Sequence, residues 1–179
     1  MPRHYIRTKP AWKPPVRPLI FVIGPSIAYV ELTQGQLAVI DLEDAPQIGR
    51  FNWWAFWDKN SKVFRPARWL PPNGLRFMHT ELLGCKEVDH IEPARTHDNR
   101  RANLRPATHS QNMANRRKSV RNKSGFKGVH FDKESGKYRA SIRKNSKLRN
   151  LGRRSTPEAA AELYRIAAVE EFGEFARFA

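Results

Sequence analysis

The sequence has a single cysteine, Cys85, which rules out an internal disulfide and any zinc site built from two or more thiolates of this chain. A metal held by its side chains is held by oxygen and nitrogen. No run approaches the ~18 consecutive apolar residues that a membrane span needs, and the basic N-terminus MPRHYIRTKPAWKPP has no apolar stretch behind it that would suit a secretory signal. The expected compartment is the cytoplasm, with no membrane partner. Acid is scarce as well: 17 Asp and Glu stand against 33 Lys and Arg, for a net charge of +16. The imbalance is regional, with fifteen Lys or Arg and only Asp132 and Glu134 as acids between Met113 and Pro157. A polyanion is therefore the expected partner, and the segregation of charge implies that one module grips phosphate while another does something else.

What is present divides the chain. Residues 1–17 carry four prolines and five Lys or Arg with no acid, and they read as an extended or disordered basic arm. From Leu19 the pattern turns to short β-branched runs, FVIG, IAYVELT and QLAVID, punctuated by Gly24-Pro25 and Gln34-Gly35 as hairpins require. FNWWAFWDKNSKVFRPARWL continues around a Lys59-Asn60-Ser61 turn, and its tryptophans are expected in the core of a small β-layer, not as base-stacking platforms. LRFMHTELLG reads as helical and carries His79. The polar, basic stretch NRRKSVRNKSG marks a boundary near residue 120. Beyond it FKGVHF, KYRASIR and KLRNLG alternate as three strands, with turns at Glu134-Ser135-Gly136 and Asn145-Ser146. Thr156, Pro157 and Glu158 then supply an N-cap, a first-turn proline and a first-turn acid for a helix whose Ala160, Leu163, Tyr164 and Ala167 share one face.

The chemistry concentrates in VDHIEPARTHDNRRANLRPATHSQN, Val88 to Asn112. Cutting a phosphodiester needs a base to take a proton from water and a cation to neutralise the charge that grows on phosphate. His90 suits the first task, because an unperturbed imidazole titrates near pH ~6.5 and is largely neutral at physiological pH. Asp89 and the amide oxygen of Asn112 suit the second, as hard oxygen ligands for Mg²⁺ or Mn²⁺ that leave positions for water and phosphate. Neighbours on a strand face opposite ways, so Asp89 and His90 serve one site only if the strand bends or ends there, and Pro93 supports an end. A helix starting near Thr108 places His109 and Asn112 on one face. His109 reads as a supporting or DNA-contacting residue, His79 as a packing or hydrogen-bonding one, and His97 as exposed.

VDHIEPARTHDNRRANLRPATHSQNMANR resembles the HNH motif of phage and intron-associated homing endonucleases, and ELTQGQLAVIDLEDAPQIGRFNWWAF is similar to the β-rich lead-in of that family. The resemblance implies two strands and a helix around one divalent cation, with His90 as general base, Asp89 and Asn112 as metal ligands and Asn103 as the central asparagine that braces the ββα finger. It also implies a phage-infected or bacterial host cell as the setting. The interval from Asp89 to Asn112 is one residue longer than the family pattern, with the extra residue in the Pro93–His97 loop, and Thr80 follows His79 where the pattern has Arg.

The last 55 or so residues resemble the Apetala-two class of DNA-binding domain, the ethylene-response-factor fold, through Phe126-Lys127-Gly128-Val129, the Tyr138–Arg143 strand, Leu151-Gly152 and Ser155–Ala160. A three-stranded sheet that enters the major groove is implied, with Lys127, Arg139, Ser141, Arg143, Lys147 and Asn150 toward DNA. The alternation agrees for one strand: Arg139, Ser141 and Arg143 fall on one face, Ala140 and Ile142 on the other. Leu148 stands where the pattern has a second basic residue.

The expectation is thus an α+β chain with a basic arm at 1–17, an HNH nuclease domain at 18–118, a linker at 119–124 and a DNA-binding domain at 125–179. It would act as a monomer on double-stranded DNA, hydrolysing a target site with one Mg²⁺ or Mn²⁺ and nicking one strand, since the motif occurs once. A catalytically inactive, sequence-specific DNA-binding protein and an RNA-binding protein are the alternatives.

Overall fold

A computed structural model describes residues 20–178 apart from 60, 73 and 120; the basic arm expected at 1–17 lies outside the described residues. Three strands open the fold, β1 (Ile20–Ile23), β2 (Ile27–Glu31) and β3 (Leu37–Asp41), antiparallel in that order. Ala28 pairs with Ile40 and Val30 with Ala38, so the apolar half of each alternating run lies on one face, and all four side chains are fully buried. A short helical turn, α1 (Ala45–Ile48), adds Ile48 to that core.

The second sheet is β4 (Trp54–Asp58), β5 (Val63–Leu70) and β6 (Gly74–Phe77), also antiparallel in chain order. It is followed without a break by α2 (Met78–Leu83), which ends at Gly84 with φ of 64°, a left-handed C-cap that glycine adopts without a Cβ penalty. The stretch expected to be wholly helical is therefore half strand. Arg76 and Phe77 pair with Arg68 and Ala67 of β5, and this ladder holds the backbone extended until Met78. The tryptophans also depart from expectation. Trp53 is core, with its indole N–H donating to the Ile48 carbonyl at 2.9 Å, but Trp57 and Trp69 are 45% and 61% exposed.

Next come β7 (Val88–His90), a long loop, β8 (Leu104–Pro106) and α3 (His109–Asn115), with β7 and β8 forming a two-stranded antiparallel pair. The side chains of Val88, Leu104, Met78 and Leu82 join the core of the first sheet, which fixes this unit to the β-rich half. The loop between β7 and β8 is pinned as well: Val39 N–H donates to the His97 carbonyl at 2.8 Å and Asn99 N–H to the Val39 carbonyl at 2.7 Å. Thr108 and Gln111 form a reciprocal capping box that starts α3.

The chain closes with β9 (Val129–Asp132), β10 (Lys137–Lys144), β11 (Lys147–Arg154) and α4 (Pro157–Phe172), then a single 3-10 turn at Gly173–Phe175. The sheet order is β11-β10-β9, and α4 covers one face with Ala160, Tyr164, Ala167, Ala168 and Phe172 against Ala140 and Ile142. Thr156 caps the helix by accepting from Ala159 N–H. This core does not stop at the expected linker, because Ala114 of α3 and Phe175 of the final turn belong to it. No helix among the described residues is long and apolar enough to cross a membrane.

Candidate active site

Antiparallel pairing of β7 with β8 sets Asp89 opposite Arg105 and His90 opposite Leu104. The two β7 side chains meet different neighbours, and β7 ends at His90, which meets the condition for both to serve one site. Asp89 meets α3: its Oδ2 accepts from Arg105 Nη2 at 2.9 Å, Arg105 Nε at 3.1 Å and Asn115 Nδ2 at 2.8 Å. Asn115 also donates to the His90 carbonyl at 2.8 Å, so one buried amide spans both site residues. All donors to the Asp89 side chain among the described residues converge on Oδ2, which leaves Oδ1 without one. Burial at 5% exposure raises the carboxyl above its ordinary range, against the opposing pull of Asn115 and Arg105.

His90 is the last residue of β7 and 4% exposed. Burial, and next the Arg65 guanidinium, lower its pKa to about 4, while Asn99 and Asp98 act weakly the other way. The imidazole is therefore neutral across the physiological range. His79 of α2 stands against it with ring centroids 4.8 Å apart and planes at 70°, and itself stacks on Phe77 at 5.5 Å and 10°. Burial, with His90 second, holds His79 well below the ordinary histidine value. The helix that carries His79 is tied to β5 by the buried pair Arg68–Glu81 at 2.9 Å.

Asn103 closes the loop. Its Oδ1 accepts from Glu92 N–H at 3.0 Å, its Nδ2 donates to the Asp98 carbonyl at 2.9 Å, and its own carbonyl accepts from Ile91 N–H at 2.8 Å. Asn112 is half-buried on α3, one turn before Asn115 and on the same helical face. His109 is largely exposed, with Nδ1 4.0 Å from Glu87 Oε2. Sequence reasoning missed Asn115, Arg105 and Asn99. Two signals pointed to the first two: Asn115 follows Asn112 at i+3, and a hairpin that starts at Asp89 must bring some residue of the NLR segment across from it.

In the C-terminal sheet, Arg139, Ser141 and Arg143 lie on the face away from α4, and register places Asn150 beside Ser141 on that same face. The Asn150 Oδ1 accepts from Gly152 N–H at 3.0 Å. Lys147 differs from expectation. It pairs with Lys144, which shares the helix side with Ile142, and the two lysines line a cavity there with Arg149 and Glu171. Lys127 differs too: its ammonium donates to the carbonyls of Ala114 and Arg116, the latter at 2.7 Å, closing the C-terminal end of α3 instead of facing solvent, and burial lowers its pKa to about 8.

The hairpin carrying Asp-His, the asparagine-braced loop and the asparagine-bearing helix stand in a chain with a related protein of described family. A viral protein described as an uncharacterized HNH endonuclease, L560 of Acanthamoeba polyphaga mimivirus, is 32% identical over 166 residues, 87% of this chain and 83% of the relative. The chain belongs to the HNH endonuclease family. No family model and no solved structure matches it.

Proposed function

We propose that this chain is a metal-dependent DNA endonuclease of the homing type that hydrolyses one phosphodiester and nicks one strand. The observation that carries the reading is the pairing, in consecutive residues, of an imidazole kept neutral by burial with a carboxylate whose Oδ1 is left free by its protein donors. A single divalent cation fits this donor set. Among the described residues no three His, Cys, Asp or Glu side chains converge, so the ion would rest on Asp89 Oδ1 and the Asn112 amide oxygen, as suits hard Mg²⁺ or Mn²⁺ that keep several waters. Burial makes the Asp89 charge costly, and a dication offsets that cost. When bound, the ion supplies charge neutralisation for the phosphate.

The chain's own groups do the rest. His90 takes the proton from the attacking water at a ring nitrogen, a step its neutral state permits at physiological pH. Asn115 and Arg105 keep Asp89 in one rotamer, and Asn103 keeps the Ile91–Arg100 loop from opening beside His90. The outward face of the C-terminal sheet, with Arg139, Ser141, Arg143 and Asn150, grips duplex DNA in the manner of the Apetala-two class.

The test is cleavage of duplex DNA with Mg²⁺, Mn²⁺ or chelator. Asp89→Ala is expected to abolish cleavage with DNA binding retained, Asn112→Ala to weaken metal use, and His90→Ala to slow single-turnover cleavage by ~10² to 10⁴. Equal rates for His90→Ala and the parent remove His90 from the mechanism. One observation favours a second reading, a DNA-binding protein without catalysis: Asp89 Oδ2 is already neutralised by Arg105 at 2.9 Å, as in a structural ion pair. That reading predicts duplex binding with no metal-dependent cutting by the parent.

A further inference from the structure

The 3-10 turn at Gly173–Phe175 stands 69 residues beyond Arg105 yet encloses its guanidinium. Arg105 Cζ sits 3.7 Å from the centroid of the Phe175 ring, Nη1 donates to the Glu174 carbonyl at 3.2 Å and to Glu174 Oε2 at 3.1 Å, and Nε and Nη2 are given to Asp89 Oδ2. An arginine has its donors in a rigid planar fork, so a ring on its face and a carbonyl at one end fix the direction of the other end. Two more contacts hold the same parts together: Arg177 Nη2 donates to Glu92 Oε1 at 3.1 Å, and Lys127 closes the end of α3 next to Asn115. Phe175 is buried in one core with Ala114 and Phe172.

On the nuclease reading above, we infer that the C-terminal turn supports the catalytic centre from outside it and does not serve the DNA-gripping unit alone: Phe175 and Glu174 clamp Arg105, and Arg105 is a positioning residue that turns Asp89 so that Oδ2 is taken and Oδ1 faces the cation. Arg105 touches neither phosphate nor water in this assignment. Its work is to narrow the orientations open to Asp89, and removing such a supporting partner typically weakens metal binding or activity ~10- to 100-fold. Docking of the last helix and the readiness of Asp89 thereby become one event.

The test uses the full chain and two readouts, Mn²⁺ binding followed by electron paramagnetic resonance without DNA, and single-turnover cleavage at saturating DNA. Phe175→Leu keeps the apolar character but loses the ring, Arg105→Lys keeps the charge but loses the fork, and Phe175→Tyr keeps the ring. Phe175→Leu and Arg105→Lys are expected to weaken Mn²⁺ binding ~10-fold or more with unchanged melting cooperativity and duplex affinity, while Phe175→Tyr stays near the parent. Mn²⁺ affinity and cleavage within about twofold of the parent for both variants, well short of the usual effect of a supporting partner, overturn the inference alone. Faster cleavage does so too, because it would make Arg105 a blocking group. A parent that neither binds Mn²⁺ nor cleaves overturns the nuclease reading and this inference with it.

Discussion

At His90 the deciding quantity is the cost of charging an imidazole away from water. Its ordinary pKa of 6.5 falls to about 4 in the fold, and that of His79 falls well below 6.5 for the same reason. Between those values the unfolded chain binds protons that the folded chain refuses, so stability drops as the pH falls from about 6.5 toward 4 and is unaffected by these groups above 6.5. For His90 alone the loss at pH ~5 is roughly 2 kcal/mol, and His79 adds to it in the same direction. Urea unfolding at about pH 7 and about pH 5 measures this. A much smaller stability at the lower pH is expected, and His79→Phe is expected to recover that histidine's share of the difference. Equal stabilities would mean the two rings are not buried. The same shift predicts that cleavage does not decline between about pH 8 and pH 6 through protonation of the base, since His90 is already neutral throughout.

Among the elements, β9 depends on a glycine. Gly128 has φ of 74°, and a Cβ added there would lie 2.1 Å from Tyr164 Cδ2 of α4. A methyl group meets both a strained backbone and an aromatic ring locked in the core, so Gly128→Ala is expected to cost about 3 kcal/mol or more, and to weaken DNA binding as the sheet and helix separate. Thermal melting decides it, and a midpoint within about a degree or two of the parent contradicts the close packing. The elements also show what was legible in the sequence. Alternation in IAYVE, LAVID and KYRASIRK marks strands and faces directly, because burial on one side of a sheet leaves a period of two. Thr156-Pro157 marks the start of α4. The face of Lys147 was not legible because it depends on the turn: Asn145 and Ser146, at φ of 48° and 64°, make a two-residue hairpin that pairs Lys147 with Lys144. The roles of Lys127 and Arg105 were hidden for a different reason. Lys127 reaches back 13 residues to Ala114 across the expected linker, and Arg105 meets Phe175 near the other end of the sequence, contacts that no strand or helix period encodes.

The molecule as a whole carries a net charge of +16, and its outward-facing Arg139 and Arg143 stand free of carboxylate partners among the described residues. Duplex binding is therefore expected to fall steeply with salt. The double variant Arg139→Ala, Arg143→Ala is expected to reduce the log–log slope by about two, at roughly 0.9 for each phosphate that is no longer neutralised. An unchanged slope would place the DNA on another surface. The C-terminal turn packs against Arg105, so the unit proposed to grip DNA is in contact with the residue that holds the proposed metal carboxylate. The central claim, cation-dependent hydrolysis at Asp89 and His90, is tested most directly by incubating supercoiled plasmid containing a cleavable site with limiting parent protein or Asp89→Ala, in Mg²⁺, Mn²⁺ or chelator. Open circles are predicted from the parent with either cation and from no other mixture; nicking in chelator, nicking by Asp89→Ala at the parental rate, or intact plasmid throughout would contradict it.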